Sequence, residues 1–182
     1  MSSVKPAVKL QFTPQQRHTL SDYVTAIAWS PQADWLAAAS AAGEVMVYRL
    51  SETPVMLRSA DGQAVNCLHF SANGQFLAAG GQSGHITVWD IQSPDISVVF
   101  QQSHPSYWVD KLAWHPHQSV LAYGVGSQVQ IWQVSPNTAI AELDFLASSV
   151  LHLAWHPHGT YLAVSGHGGI QAWLAEDWQA DP

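Results

Sequence analysis

Residues Val65 to Ile91, VNCLHFSANGQFLAAGGQSGHITVWDI, decide how the rest of the chain is read. Val65 to Phe70 alternates apolar and polar residues, the pattern of a half-buried strand. Ser71 to Gly74 is a turn cluster, and Phe76 to Ala79 is apolar again. Gln82 to Gly84 then turns the chain into a second alternating run, His85 to Trp89. Short strands of high β-propensity bounded by Ser, Asn and Gly predict a three-stranded antiparallel meander.

The same pattern is written four times. Val24, Val65, Val109 and Val150 open the copies at nearly equal intervals. Five residues beyond each valine stands a large aromatic: Trp29, Phe70, Trp114 and Trp155. Twelve residues beyond it stands a leucine followed by alanine, at Leu36, Leu77, Leu121 and Leu162. A second aromatic column, Tyr48, Trp89, Trp132 and Trp173, closes the third strand of each copy. Four columns in register over four copies define an internal repeat. Its short strands and its period of about 40–45 residues are those of a β-propeller blade.

The strand–turn–strand phrases AIAWSPQADWLAAAS, LHFSANGQFLAAGG, LAWHPHQSVLAYG and LAWHPHGTYLAVSG resemble the WD40 repeat family, over about residues 7–175. The family's name-giving dipeptide stands once, as Trp89-Asp90; its counterparts are Tyr48-Arg49, Trp132-Gln133 and Trp173-Leu174. The resemblance implies an all-β propeller of four-stranded blades, with repeats at about 18–50, 59–91, 102–134 and 143–175. Residues 1–6 are then a flexible N-terminus and 176–182 a C-terminal tail. It also implies that each blade's outermost strand comes from the start of the following repeat. Candidates are Pro54 to Arg58, Ile96 to Phe100 and Ala139 to Phe145, with Ala7 to Phe12 as an outer strand lacking its own inner triplet. Four repeats make a four-bladed ring, half of an eight-bladed homodimer, or part of a longer propeller. The aspartate usual in the family before the last strand is absent, with Ala42, Ser83, Gly126 and His167 standing nearby. The family's His–Ser/Thr–Asp–Trp network is therefore expected to be incomplete in every blade.

Charged residues make up only 10% of the chain, against about 25% in ordinary globular proteins. The formal net charge is −7, and no Lys or Arg follows Lys111. Binding to a phosphate backbone needs a basic surface, so nucleic acid is not an expected partner. The single cysteine, Cys67, can form no internal disulfide and reads as an inert buried thiol. No apolar run approaches the length of a membrane-spanning helix, and the first residues carry no signal-peptide core. No membrane partner and a cytoplasmic location are therefore expected.

His-Pro-His occurs twice, at His115–His117 and His156–His158, on corresponding corners of neighbouring repeats. Imidazoles can ligate a divalent metal, which gives the alternative reading of a metal-binding accessory protein. Two histidines around one proline leave a tetrahedral site half empty, however, and proline-fixed turns with polar flanks are the simpler reading. No metal, cofactor or catalytic residue is assigned. Gly81-Gln82-Ser83-Gly84 misses the nucleophile-elbow pattern, Gly80-Gly81 and Gly168-Gly169 precede no helix, and no paired carboxylates recur between copies. His69 and His152 are expected to be partly buried on first strands.

Six of the nine tryptophans fill the two aromatic columns and are expected to pack between blades. Trp35 heads a second strand with Phe76 and Tyr161; Trp108 and Trp178 fit no column. Tyr107-Trp108 lies in the loop leading into the third copy. The resemblance places that loop, with the turns at His85 and His167, on the face where the family meets its partners. Tyr23, His85, Tyr107, Trp108 and His167 are accordingly the candidate partner-binding residues. The function expected is that of a non-enzymatic scaffold binding a protein or peptide.

Overall fold

The structure is a computed structural model that describes residues 17–49, 52–145 and 148–180. Fifteen strands form four antiparallel sheets among the described residues. Blade 1 is β1 (Val24–Trp29), β2 (Trp35–Ser40), β3 (Val45–Arg49) and β4 (Val55–Arg58). Blade 2 is β5 (Val65–Phe70), β6 (Phe76–Gly81), β7 (His85–Asp90) and β8 (Ser97–Ser103). Blade 3 is β9 (Leu112–Trp114), β10 (Val120–Val125), β11 (Gln128–Gln133) and β12 (Thr138–Asp144). Blade 4 holds three strands, β13 (Val150–Trp155), β14 (Tyr161–Gly166) and β15 (Gly169–Leu174). Strands neighbour one another in chain order within every blade.

The repeat columns explain this arrangement. With side chains alternating across a strand, residues three and five beyond each opening valine face one way and those at two and four the other. Leu68, Leu77 and Trp89 of blade 2 thus pack against Ala37, Ala39 and Val47 of blade 1. Its opposite face, Phe76, Ala78, Ile86 and Val88, packs against Leu112, Leu121 and Tyr123 of blade 3. A third such layer joins Val120, Ala122 and Ile131 of blade 3 to Leu153, Leu162 and Trp173 of blade 4. Each layer is core between two sheets, where apolar burial stabilises by about 25 cal/mol per Å².

The first strand carries a bulge at the same place in blades 1, 2 and 4, between Val24 and Ala26, Val65 and Cys67, and Val150 and His152. Strand β9 is shorter and starts only at Leu112. The buried Val109 instead gives its backbone N–H to the Gly81 carbonyl of blade 2, at 3.0 Å. Gly80 shows how closely the blades approach: a Cβ there would lie 2.2 Å from the Val109 carbonyl oxygen.

The outer strands expected at Pro54 to Arg58, Ile96 to Phe100 and Ala139 to Phe145 are β4, β8 and β12. The one expected at Ala7 to Phe12 lies outside the described residues. Among the described residues, blade 4 carries beside β15 a single antiparallel bridge, Trp173 to Ala180. No helix among the described residues is long and apolar enough to cross a membrane.

Candidate interaction surface

The loop between β8 and β9 brings Tyr107 and Trp108 to the surface, 52% and 60% exposed. Its path is set by backbone bonds: the Tyr107 N–H reaches the His104 carbonyl at 2.9 Å, and the His104 N–H reaches the Gly84 carbonyl at 2.8 Å. Gly84 has φ +73°, and a Cβ there would meet the carbonyls of His104 and Tyr107 at 2.2 and 2.6 Å. The Tyr107 ring lies over Gly126, whose added Cβ would sit 2.8 Å from Cε1. Glycines in these two turns let the aromatic loop rest on blades 2 and 3.

Between this loop and blade 4 is a cleft of about 310 Å³. Tyr107, Trp108 and Leu151 give it apolar walls, and Ser106 and Ser149 give it hydroxyls. Asp110 and Lys111 line it as an ion pair at 2.7 Å. An aromatic anchor beside one acceptor and one donor suits a short polypeptide segment.

Of the other candidate residues, His85 begins β7 next to Gly84 and is half-buried. Tyr23 and His167 are exposed on the loop leading into β1 and the β14–β15 turn, and neither lines the cleft. Ser149 and Leu151 were not singled out from sequence. Leu151 did carry a signal, as the one apolar residue in a column otherwise made of Thr25, Asn66 and Asp110.

The polar groups that replace the family's histidine network differ from blade to blade. In blade 1 the buried Glu44 carboxylate accepts from the Ser21 N–H, the Ser21 hydroxyl and the Ser40 hydroxyl, at 2.9, 2.8 and 2.8 Å. Burial works against its charge, but these bonds outweigh it and hold the carboxyl below its usual range. In blade 3 the His104 Nε2 lies 3.4 Å from the Tyr123 hydroxyl, and burial pushes the His104 pKa down.

The histidine corners have a structural task. Ser30 and Ser71 cap the equivalent turns of blades 1 and 2, their hydroxyls accepting from the Trp35 and Phe76 N–H groups at 3.0 and 2.9 Å. In blade 3 the His115 Nδ1 accepts from the His117 and Gln118 N–H groups, both at 3.1 Å, while Nε2 faces the Gly159 carbonyl at 3.2 Å. In blade 4 the His156 Nδ1 accepts from the His158 N–H at 3.3 Å and lies 3.0 Å from the Thr160 hydroxyl. The described residues hold no group of three or more His, Cys, Asp or Glu placed to share a metal ion.

Three sequence expectations are corrected. Trp29 is 55% exposed, because no blade among the described residues precedes blade 1 to cover it. His69 and His152 are exposed on the inner strands, and it is the His69 carbonyl that is used, accepting from the Trp114 indole at 2.9 Å.

These sheets and their packing define a β-propeller architecture. A family model of the anaphase-promoting complex subunit 4 WD40 domain matches residues 27–115, and one of the WD domain, G-beta repeat, matches residues 142–173. The chain belongs to the WD40 repeat family. It is 25% identical over 114 residues to actin-interacting protein 1 of Drosophila melanogaster, covering 61% of this chain and 19% of that one. It thus spans about a fifth of that relative's length. Its fold is similar to the RRP9 WD40 repeats, with TM-score 0.72 and 18% identity, over 92% of this chain and 52% of that one. A chain of the mitotic checkpoint complex is similar with TM-score 0.71 and 21% identity, over 100% of this chain and 60% of that one.

Proposed function

We propose that the protein is a scaffold without chemistry of its own, which captures a peptide segment of a protein partner in the cleft between blades 3 and 4. The observation that carries this is the exposed Tyr107–Trp108 pair, held on glycine turns beside the Asp110–Lys111 ion pair. Exposed aromatics cost free energy in water and are enriched at interface hot spots, so a fixed pair beside a concave surface is well placed for binding. Two similar proteins, actin-interacting protein 1 and a chain of the mitotic checkpoint complex, support the same class of work. Tyr23, His85 and His167 would extend the contact along the same face.

The test is selection from a displayed random-peptide library, followed by titration of the enriched peptides. Peptides bound by the native chain should weaken by about 30-fold with Trp108→Ala, equivalent to the ~2 kcal/mol of a hot spot. Binders indifferent to both Trp108→Ala and Tyr107→Ala would remove the cleft from the proposal.

A further inference from the structure

Ala175 departs from a packing rule that blades 2 and 3 keep. There the second residue beyond the closing tryptophan is Ile91 or Val134, each 2% exposed and part of the layer toward the preceding blade. Their N–H groups bond the Gln75 and Ser119 carbonyls at 2.8 and 2.9 Å, and the Ala175 N–H bonds the equivalent Thr160 carbonyl at 2.9 Å. The backbone is placed alike in all three blades, and only the side chain is shorter. Close-packed interiors leave few voids larger than a water molecule, yet a pocket of about 330 Å³ opens beside Ala175, between blades 3 and 4. Its walls all belong to this internal junction. In blades 2 and 3 the chain beyond the equivalents of Ala180, Val98 and Ala139, leads away from the same corner along β7 and β11.

Ile140 and Leu174 give the pocket an apolar lining. Trp155 and Trp178 meet in it edge to face, with centroids 5.9 Å apart and planes at 75°. Trp178 is brought there by strained backbone: its φ of +58° is a left-handed value unfavourable for a bulky side chain, and such strain clusters at functional sites. Its N–H is held by the Leu174 carbonyl at 2.7 Å. Glu176, on the same turn, is exposed and lines the pocket with its carboxylate.

We propose that this pocket receives an arginine side chain of a protein partner. The alkyl stem packs on Ile140 and Leu174, the guanidinium stacks on an indole, and the Glu176 carboxylate accepts its N–H groups. Charge favours this occupant. Blade 4 holds no Lys or Arg to pair with Glu176, and the neighbouring Asp177 adds a second negative charge. Blade 1 shows the same recognition within the chain: the Arg49 guanidinium lies 4.5 Å over the Trp35 ring, with the Asp34 and Glu52 carboxylates 3.8 and 3.7 Å from its nitrogens. Arginine suits the site better than lysine, because its planar, weakly hydrated head stacks on indole and meets a carboxylate with two donors.

Titration of the isotope-labelled chain with the peptide acetyl-Gly-Arg-Gly-amide, and with its lysine and leucine counterparts, tests this through the tryptophan indole resonances. The arginine peptide should shift the Trp155 and Trp178 signals with a Kd of about 1 mM, and the lysine peptide should bind about tenfold more weakly. The leucine peptide should not saturate. Glu176→Gln, at an exposed site, should weaken the arginine peptide about tenfold. Ala175→Ile should fill the pocket as Ile91 does in blade 2, abolish binding and raise the urea midpoint. An arginine peptide that moves neither indole signal at about 20 mM would overturn the proposal. So would undiminished binding to Ala175→Ile, or a leucine peptide that binds as tightly. Trp108→Ala should bind the arginine peptide like the parent while losing the peptides of the cleft, so the two sites fail separately. Loss of the arginine peptide in Trp108→Ala would move it to the cleft and overturn the proposal as well.

Discussion

Phe100 offers the sharpest test of how the blades hold together. It lies on β8, the outer strand of blade 2, is 1% exposed, and crosses to blade 3 edge-on to Trp132 and Tyr123, with centroids at 5.3 and 6.4 Å. Phe100→Ala removes a ring with no polar atoms, so no hydrogen bond confuses the result. Loss of transfer free energy together with the cavity left behind costs about 3–5 kcal/mol in comparable cores. Aromatic pairing accounts for about 0.5–1.5 kcal/mol of that per ring pair. With a urea slope of about 2 kcal/mol/M, the unfolding midpoint should fall by about 1.5–2.5 M. Equilibrium urea unfolding followed by circular dichroism, at one fixed protein concentration, reads the shift. Trp108→Ala is the matched control and should move stability by no more than about 0.5 kcal/mol, as an exposed site with no core contact. Phe100→Ala and Trp132→Ala should fall short of additivity when combined, since both empty one space. A Phe100→Ala loss no larger than that of Trp108→Ala would refute the reasoning, because the blade 2–blade 3 layer would then not be close-packed.

Three further outcomes follow from the polar groups. His115→Ala should cost about 1–2 kcal/mol in urea unfolding by stranding the two N–H groups from which its Nδ1 accepts. Burial lowers the His115 pKa, chiefly through desolvation, so the neutral ring contributes stability that is full above about pH 6.5. That contribution is lost as pH falls through the folded value, and His115→Ser should flatten this part of the pH–stability curve. Glu44 has a lowered pKa as well, so its contribution is full above about pH 4.3 and lost as pH falls through its folded value. Glu44→Gln should remove that acid limb from a series of thermal melts. Burial pushes the Cys67 thiol up to about 12, with Sγ 3.5 Å from the Gly80 carbonyl. A thiol-specific reagent at pH 8 should therefore modify Cys67 only at the rate of unfolding.

Much of the architecture is legible in the sequence. The valine, aromatic and leucine columns set strand positions, turn positions and the side of the sheet on which each residue lies, since alternation along a strand is a local property of the chain. Even the outer strands β4, β8 and β12 were readable between repeats. What a column does not carry is whether its face has a neighbour. Ile27 and Leu68 occupy the same place in the pattern, as do Ile170 and Ile86, yet one of each pair is exposed and the other buried. The difference is the presence or absence of another sheet about 10 Å away, which no local pattern encodes. The cleft has the same origin: Tyr107 stood out in sequence, while Ser149 and Leu151 joined it only when blades 3 and 4 met. Likewise, histidine as a replacement for a capping serine became visible only once Nδ1 was seen to accept the N–H groups of its own turn. Sequence alone determined the blade, because side-chain alternation and turn chemistry act over a few residues. Tertiary structure alone decided which blade faces and loop residues remain free, because burial is settled by contacts between segments a whole repeat apart.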